Sequence, residues 1–250
     1  REDCRQFAHR WISPSNMVVA VFGDVEAKRV GAQVQKSFGA IHADPVDWPA
    51  RLPSDPPEGI REATKILEKE QALVMLGFRG STHAAEDRFA LDVVTAVLSG
   101  MAGRLFQSVR ERHGLSYTLG AVHAPGWDPG YLLVYAATRP EERERVVEVL
   151  EQELALAADK GFTAEEISQA QRYLIGLHRI DLQHLVGLAK RSAIDEIFGL
   201  GYDDWKRYEA HINAVTPQIA HAAATRYLTL QQRAQVIISP NGNSHPVSPQ

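Results

Sequence analysis

The sequence predicts an α+β fold, an antiparallel-rich sheet covered on one face by helices. Three observations predict it. Strand-like and helical runs are grouped rather than strictly alternating. The GWDPG turn at 126–130 joins two strand-like stretches in hairpin fashion. Several long helical runs carry a single apolar stripe. With 250 residues, 44% hydrophobic and 23% charged, the chain can bury a substantial core in one large or two small domains.

Residues Asp3–Trp11 read as a helix, broken by Pro14-Ser15-Asn16 before MVVAVFGD, Met17–Asp24, an apolar run expected to be a buried strand. Val30, Val34 and Phe38 then fall at helical spacing, with Gly39 as the stop. Prolines 45, 49, 53, 56 and 57 prevent a helix or central strand over residues 40–63, which read as an interdomain linker. Thr64–Gly80 is a long strand or strand pair. Ala84–Leu98 is a helix with Phe89, Val93, Val94 and Val97 on one side. A short helix, Arg104–Arg112, leads through His113-Gly114 into the hairpin Leu115–Ala124 and Tyr131–Thr138. Pro140 opens a helix striped by Val146, Val147, Leu150 and Leu154, and Thr163 with Glu166 forms a capping box for the next. Asp203–Asn213 and Pro217–Leu228 are further helices, the latter with Thr216 as N-cap. AQVIISP closes the fold as a strand, before a polar tail at 241–250.

A net charge of −4 gives no basic footprint for nucleic acid or an anionic membrane, and no apolar run reaches the length of a membrane span. Cys4 is the single cysteine, so an internal disulfide and a cysteine-based zinc cluster are excluded, while the compartment stays open. No G-x-S-x-G elbow, Walker loop or G-x-G-x-x-G occurs. His83-Ala84-Ala85-Glu86-Asp87 only approaches an H-x-x-E-H zinc motif, with Asp87 where the second imidazole belongs; Glu86 and Asp87 are explained by the dipole of the helix they start. The GMAG stretch, 100–103, reads as a turn between helices, and His178 and His184, six apart, read as diverging surface residues.

Arg110 and Tyr117 remain. A helix that stops at a glycine and turns into a strand can return the strand's second or third residue beside its own last turn. An arginine offers a planar, always-charged donor for a peptide carbonyl or carboxylate, and a phenol can donate to an oxyanion on a scissile carbonyl. Strand alternation argues the other way, placing Tyr117 with Leu115 and Leu119 as a core tyrosine. Both readings stay open on spacing alone.

AHRWISPSNMVVAVFGD and ATRYLTLQQRAQVIISP share a helix end, an arginine followed by an aromatic, a break and an apolar strand, 216 residues apart from Arg10 to Arg226. Together with LSGMAGRLFQSVRERHGLSY, the GFTAEEISQAQRYL helix start and INAVTPQIAHAAATRYL, these segments resemble the pitrilysin, or insulinase-like, zinc metallopeptidases, processing peptidases included. In that family two homologous halves face one another; the first carries H-x-x-E-H and the second an Arg/Tyr pair that holds the substrate backbone. The resemblance implies the second half, with residues 1–39 as the end of a truncated first domain, 40–63 the linker and 64–240 a complete second domain. It implies Arg110 and Tyr117 as substrate-binding residues, peptide or protein as substrate, zinc in the complete enzyme but none on this chain, and no cleavage by this chain alone. It also implies a missing metal-bearing half or homologous partner subunit, with a dimer in the complete enzyme. The alternative is a non-catalytic assembly or scaffold subunit of the same fold.

Overall fold

The computed structural model describes residues 1–41, 57–100 and 103–240. Most of the proline-rich stretch, Met101 and Ala102 of GMAG, and the polar tail lie outside the described residues. The chain divides into two compact units. Their described parts are 1–41 with 175–209, and 57–174 with 210–240.

The second unit is built on a five-stranded sheet. Its strands are β1 (Arg61–Ile66), β2 (Ala72–Arg79), β3 (Ser116–Ala124), β4 (Tyr131–Thr138) and β5 (Ala234–Ser239), in the order β1-β5-β2-β4-β3. Every neighbouring pair is antiparallel except β1 with β5. The expected strand pair at 64–80 is therefore two strands that do not touch, because β5 enters between them. On β2, Ala72, Val74, Leu76 and Phe78 are buried while the intervening residues are half-exposed, so one face is dry. Leu132, Val134 and Ala136 of β4 continue that face.

Three helices cover it. Helix α3 (Arg88–Ser99) buries ten of its twelve residues, including Leu91, Val93, Val94 and Leu98. Helix α4 (Arg143–Lys160) contributes Val146, Val149, Leu150 and Leu154, and α8 (Pro217–Tyr227) packs the small residues Ala220, Ala223 and Ala224 against α3 and α4. Each fully buried aliphatic side chain contributes about 1.5–3 kcal/mol. At the start of α8 the Ile219 N–H donates to Thr216 Oγ1 at 3.3 Å, as the sequence predicts. Thr216→Ala should lower stability by about 1 kcal/mol, read as a lower urea midpoint with unchanged slope.

The first unit holds α1 (Glu2–Trp11), α2 (Ala27–Phe38), α6 (Leu185–Ile197), the C-terminal part of α5 (Ala164–Asp181) and the first residues of α7 (Tyr208–Asn213). Here one expectation is corrected. Met17–Asp24 joins no strand ladder among the described residues, and Val19 and Val21 are 46% and 47% exposed. The chain enters this segment extended, at φ −133° and ψ 141° for Met17, but a strand exists only when a neighbour supplies the ladder bonds. His178 is also corrected. It is half-buried, its ring 4.4 Å from that of Tyr208 and its Nε2 donating to Trp205 O at 3.2 Å; burial, then Arg191, hold its pKa below the usual imidazole value. His184 instead precedes α6 as its N-cap, so the two histidines do not share a helix. Among the described residues no helix is long and apolar enough to cross a membrane.

Candidate functional site

Arg110 lies on a π-helix, Phe106–Arg112, where an ordinary helix was expected. The wider winding is closed by His113 N–H donating to Ser108 O, five residues back, at 3.2 Å. Leu105, Ser108 and Val109 fix its inner side, at 0%, 2% and 0% exposure. Both ends are clamped by charge. Arg104 donates twice to Glu166, through Nε at 2.6 Å and Nη2 at 2.9 Å, and once to Gly161 O at 2.8 Å. Arg112 reaches the buried Glu153 at 3.1 Å, on α4. The segment bearing Arg110 is thus tied to two neighbouring elements.

Gly114 ends the helix at φ +63°, a left-handed conformation that suits glycine. A Cβ added there would meet nothing within 4 Å, so Gly114→Ala costs only the backbone term. The expected loss is about 1 kcal/mol in urea unfolding. His113 Nδ1 donates to Ser108 O at 2.9 Å and secures the same turn.

The chain then enters β3 through a bulge. Ser116 pairs with Thr138 and Thr118 with Ala137, which leaves Tyr117 as the extra residue. Ser116 Oγ lies 2.9 Å from Thr118 O and 2.6 Å from Ala137 O, and Thr138 Oγ1 donates to Leu115 O at 2.6 Å. These bonds lock the irregular register. Tyr117 is consequently 83% exposed, which overturns its reading as a core tyrosine by strand alternation. The bulge breaks the alternation on which that reading rests.

The two predicted residues are brought together. The Arg110 guanidinium carbon is 5.3 Å from the centroid of the Tyr117 ring and 4.7 Å from that of Phe106. Its ion pair with Glu111 is long, at 3.8 Å, and the Glu111 side chain is 60% exposed, so that contact holds it weakly. An aromatic-stacked guanidinium beside an exposed phenol can present parallel donors to a carbonyl or carboxylate.

Nothing comparable is found for a metal among the described residues. Among the described residues no three His, Cys, Asp or Glu side chains form a group that could hold an ion. The His83 carbonyl accepts from Arg88 Nη1, and Asp87 accepts from Arg226 Nη1 at 2.8 Å and from the Tyr227 hydroxyl at 2.7 Å. The side chains present do not fit a zinc centre. One constellation was not visible in the sequence: Ser81, Asp92 and His123, from a loop, α3 and β3, join in one hydrogen-bond chain. No local motif marks residues spread over more than forty positions.

The model of the family described as "Peptidase M16 inactive domain" matches residues 1–174. An uncharacterized zinc protease of Streptomyces coelicolor is 33% identical over 244 residues, covering 93% of this chain and 52% of that protein. The uncharacterized zinc protease YmxG of Bacillus subtilis is 28% identical over 243 residues, covering 97% of this chain and 58% of its own length. The chain therefore spans little more than half the length of these curated relatives. Among solved structures, a peptidase M16 inactive domain from Pseudomonas fluorescens superposes with a TM-score of 0.85 at 20% identity, over 96% of this chain and 57% of that one. A protease from Helicobacter pylori gives 0.81 at 18% identity, over 96% and 58%. These two establish the likeness of fold, and the family model establishes membership over most of the chain. The chain belongs to the M16, pitrilysin-like peptidase family, in the region described as its inactive domain.

Proposed function

We propose that this chain is the substrate-holding part of a zinc-dependent metalloendopeptidase, with Arg110 and Tyr117 gripping an extended peptide. The observation that carries this reading is the stacking of the Arg110 guanidinium on the rings of Phe106 and Tyr117, at 4.7 and 5.3 Å, beside a Tyr117 that is 83% exposed. A core pair would be covered, whereas this arginine is held within cation–π distance of two rings while the phenol stays open to solvent. The guanidinium binds a peptide carbonyl or carboxylate, and the phenol donates to the oxygen on which charge develops.

Zinc, activated water and a glutamate base belong to a metal-bearing half, in the same parent chain or in a partner subunit, and this chain alone cleaves no peptide bond. Residues 1–39 are the end of that preceding domain, 40–63 the connection and 64–240 the second domain, of which 175–209 group with 1–41 in one compact unit. The extended run from Met17, apolar and without a ladder among the described residues, supports this division. So does a length little more than half that of the curated relatives.

The test is complementation. An H-x-x-E-H half is supplied, peptide cleavage is assayed, and the assay is repeated with Arg110→Ala and Tyr117→Phe. Activity that needs both parts and falls with either change supports the reading. Reconstituted activity indifferent to both changes overturns the clamp. Failure of any metal-bearing partner to yield activity favours a non-catalytic scaffold subunit.

A further inference from the structure

The chain Ser81–His123–Asp92 is separate from the peptide clamp. His123 Nδ1 lies 2.8 Å from Asp92 Oδ1, and His123 Nε2 lies 3.0 Å from Ser81 Oγ. A carboxylate oxygen only accepts, so Nδ1 carries a proton; in the neutral ring Nε2 is then the acceptor for the Ser81 hydroxyl proton. The His123 side chain is fully buried, that of Asp92 is 28% exposed, and Ser81 is 3% exposed. The imidazole is therefore oriented on both sides by hydrogen bonds, as a general base needs.

Ser81 also lines a pocket of about 440 Å³ with Arg79, Thr82, Arg226, Tyr227 and Thr229. The backbone leaves one amide of this strand end without a ladder bond. Gly80 N–H donates to Gly130 O at 2.8 Å and Ser81 O accepts from Gly130 N–H at 2.9 Å, so two residues of this strand end face one and the Ser81 N–H is left outside the ladder. Among the described residues the Ser81 N–H has no backbone partner, and Ser81 is one of the residues that line the pocket. An amide of the nucleophile's own residue is one of the donors an oxyanion hole uses.

The charges in the pocket are unequal. Arg226 is neutralised by Asp87, and burial, then the bond to Asp87, push the Tyr227 hydroxyl up to about 12, so it stays a donor. Arg79 has no acidic partner among the described residues and is left to meet an anion.

We infer that Ser81, His123 and Asp92 form a metal-independent reactive-serine site that takes small esters whose acyl group carries a carboxylate, held by Arg79. Ser81 Oγ attacks the ester carbonyl while its proton passes to His123 Nε2, and the imidazolium is stabilised by its hydrogen bond to Asp92. The tetrahedral oxyanion takes a hydrogen bond from the Ser81 amide. Its collapse breaks the bond to the alcohol, which leaves with the proton from His123. Water repeats the sequence on the acyl-serine, releasing the acid and restoring the hydroxyl. This site lies at the far end of β3 from Tyr117, six residues or about 20 Å away along the strand.

The test uses the purified chain and a fluorophosphonate probe, with the modified residue located by peptide mass spectrometry. The expected result is one phosphonyl group on Ser81, slowed about 100-fold in His123→Gln, with 4-nitrophenyl hydrogen succinate hydrolysed faster than 4-nitrophenyl acetate until Arg79→Gln removes the preference. Wild-type labelling needs no variant to fold. Absence of label on Ser81 in the folded chain overturns the site, as does an unchanged labelling rate in a folded His123→Gln. Labelled Ser81 with no preference for the anionic ester overturns the assignment of Arg79.

Discussion

Arg110→Ala is expected to lower kcat/KM of the zinc-complemented peptidase about 100-fold. A guanidinium fork making two charge-assisted hydrogen bonds to a peptide contributes about 1.5–3 kcal/mol beyond what water would offer, and each 1.36 kcal/mol is a factor of ten. If Arg110 grips ground state and transition state alike, the loss falls on KM. Tyr117→Phe removes only the hydroxyl and leaves the ring beneath the guanidinium, so it isolates the oxyanion contact. That change should lower kcat about 10- to 100-fold at nearly constant KM. Arg110→Lys keeps the charge but not the planar fork and should fall between. Folding is not at issue in these variants, because Tyr117 is 83% exposed and the Arg110 side chain 39% exposed, where substitutions typically change stability by no more than about 0.5 kcal/mol. Steady-state kinetics with circular dichroism as control decides it. Both variants within twofold of the parent would return Arg110 and Tyr117 to the surface charges and aromatics.

The same two residues show how far sequence reasoning reaches. Their convergence follows from a helix stop at Gly114 and the strand after it, both readable from the letters. The direction in which Tyr117 points does not, because one unpaired residue between Ser116 and Thr118 reverses the alternation and nothing in the local composition marks it. Caps were legible for a different reason: Thr163 with Glu166, and Thr216 with Pro217, act within three residues of themselves. The hairpin of β3 and β4 was equally local. The sheet order was not, since β5, the last strand, enters between β1 and β2 and only long-range packing selects that place. Met17–Asp24 fails for the converse reason, an apolar run being a strand only in company. Ser81, Asp92 and His123 show the same limit in the site, for three elements must fold before their hydrogen bonds exist.

Arg104→Ala is expected to cost about 2 kcal/mol at neutral pH, and to cost less as the solution is acidified. Arg104 and Glu166 are 21% and 29% exposed, and the guanidinium also caps Gly161 O and lies 4.8 Å over the Phe162 ring. Breaking a buried, bidentate pair costs about 3–5 kcal/mol, and partial exposure reduces it. Burial alone would raise the Glu166 pKa, but the hydrogen bonds from Arg104 and from the Thr163 backbone outweigh it and hold it at about 2, below the ordinary 4.5. A carboxylate with a depressed folded pKa stabilises fully above the unfolded value, and that contribution is lost as pH falls through the interval from 4.5 towards 2. The gap between wild type and Arg104→Ala in urea unfolding should therefore be widest near pH 7 and narrower at pH 3. A gap independent of pH would mean that packing on Phe162 and the bond to Gly161 O, rather than the ion pair, carry the loss. Because Arg104 opens the segment that carries Arg110, its removal should also loosen the clamp. Arg104→Ala in the complemented enzyme is then expected to raise KM at pH 7 even where the protein remains folded.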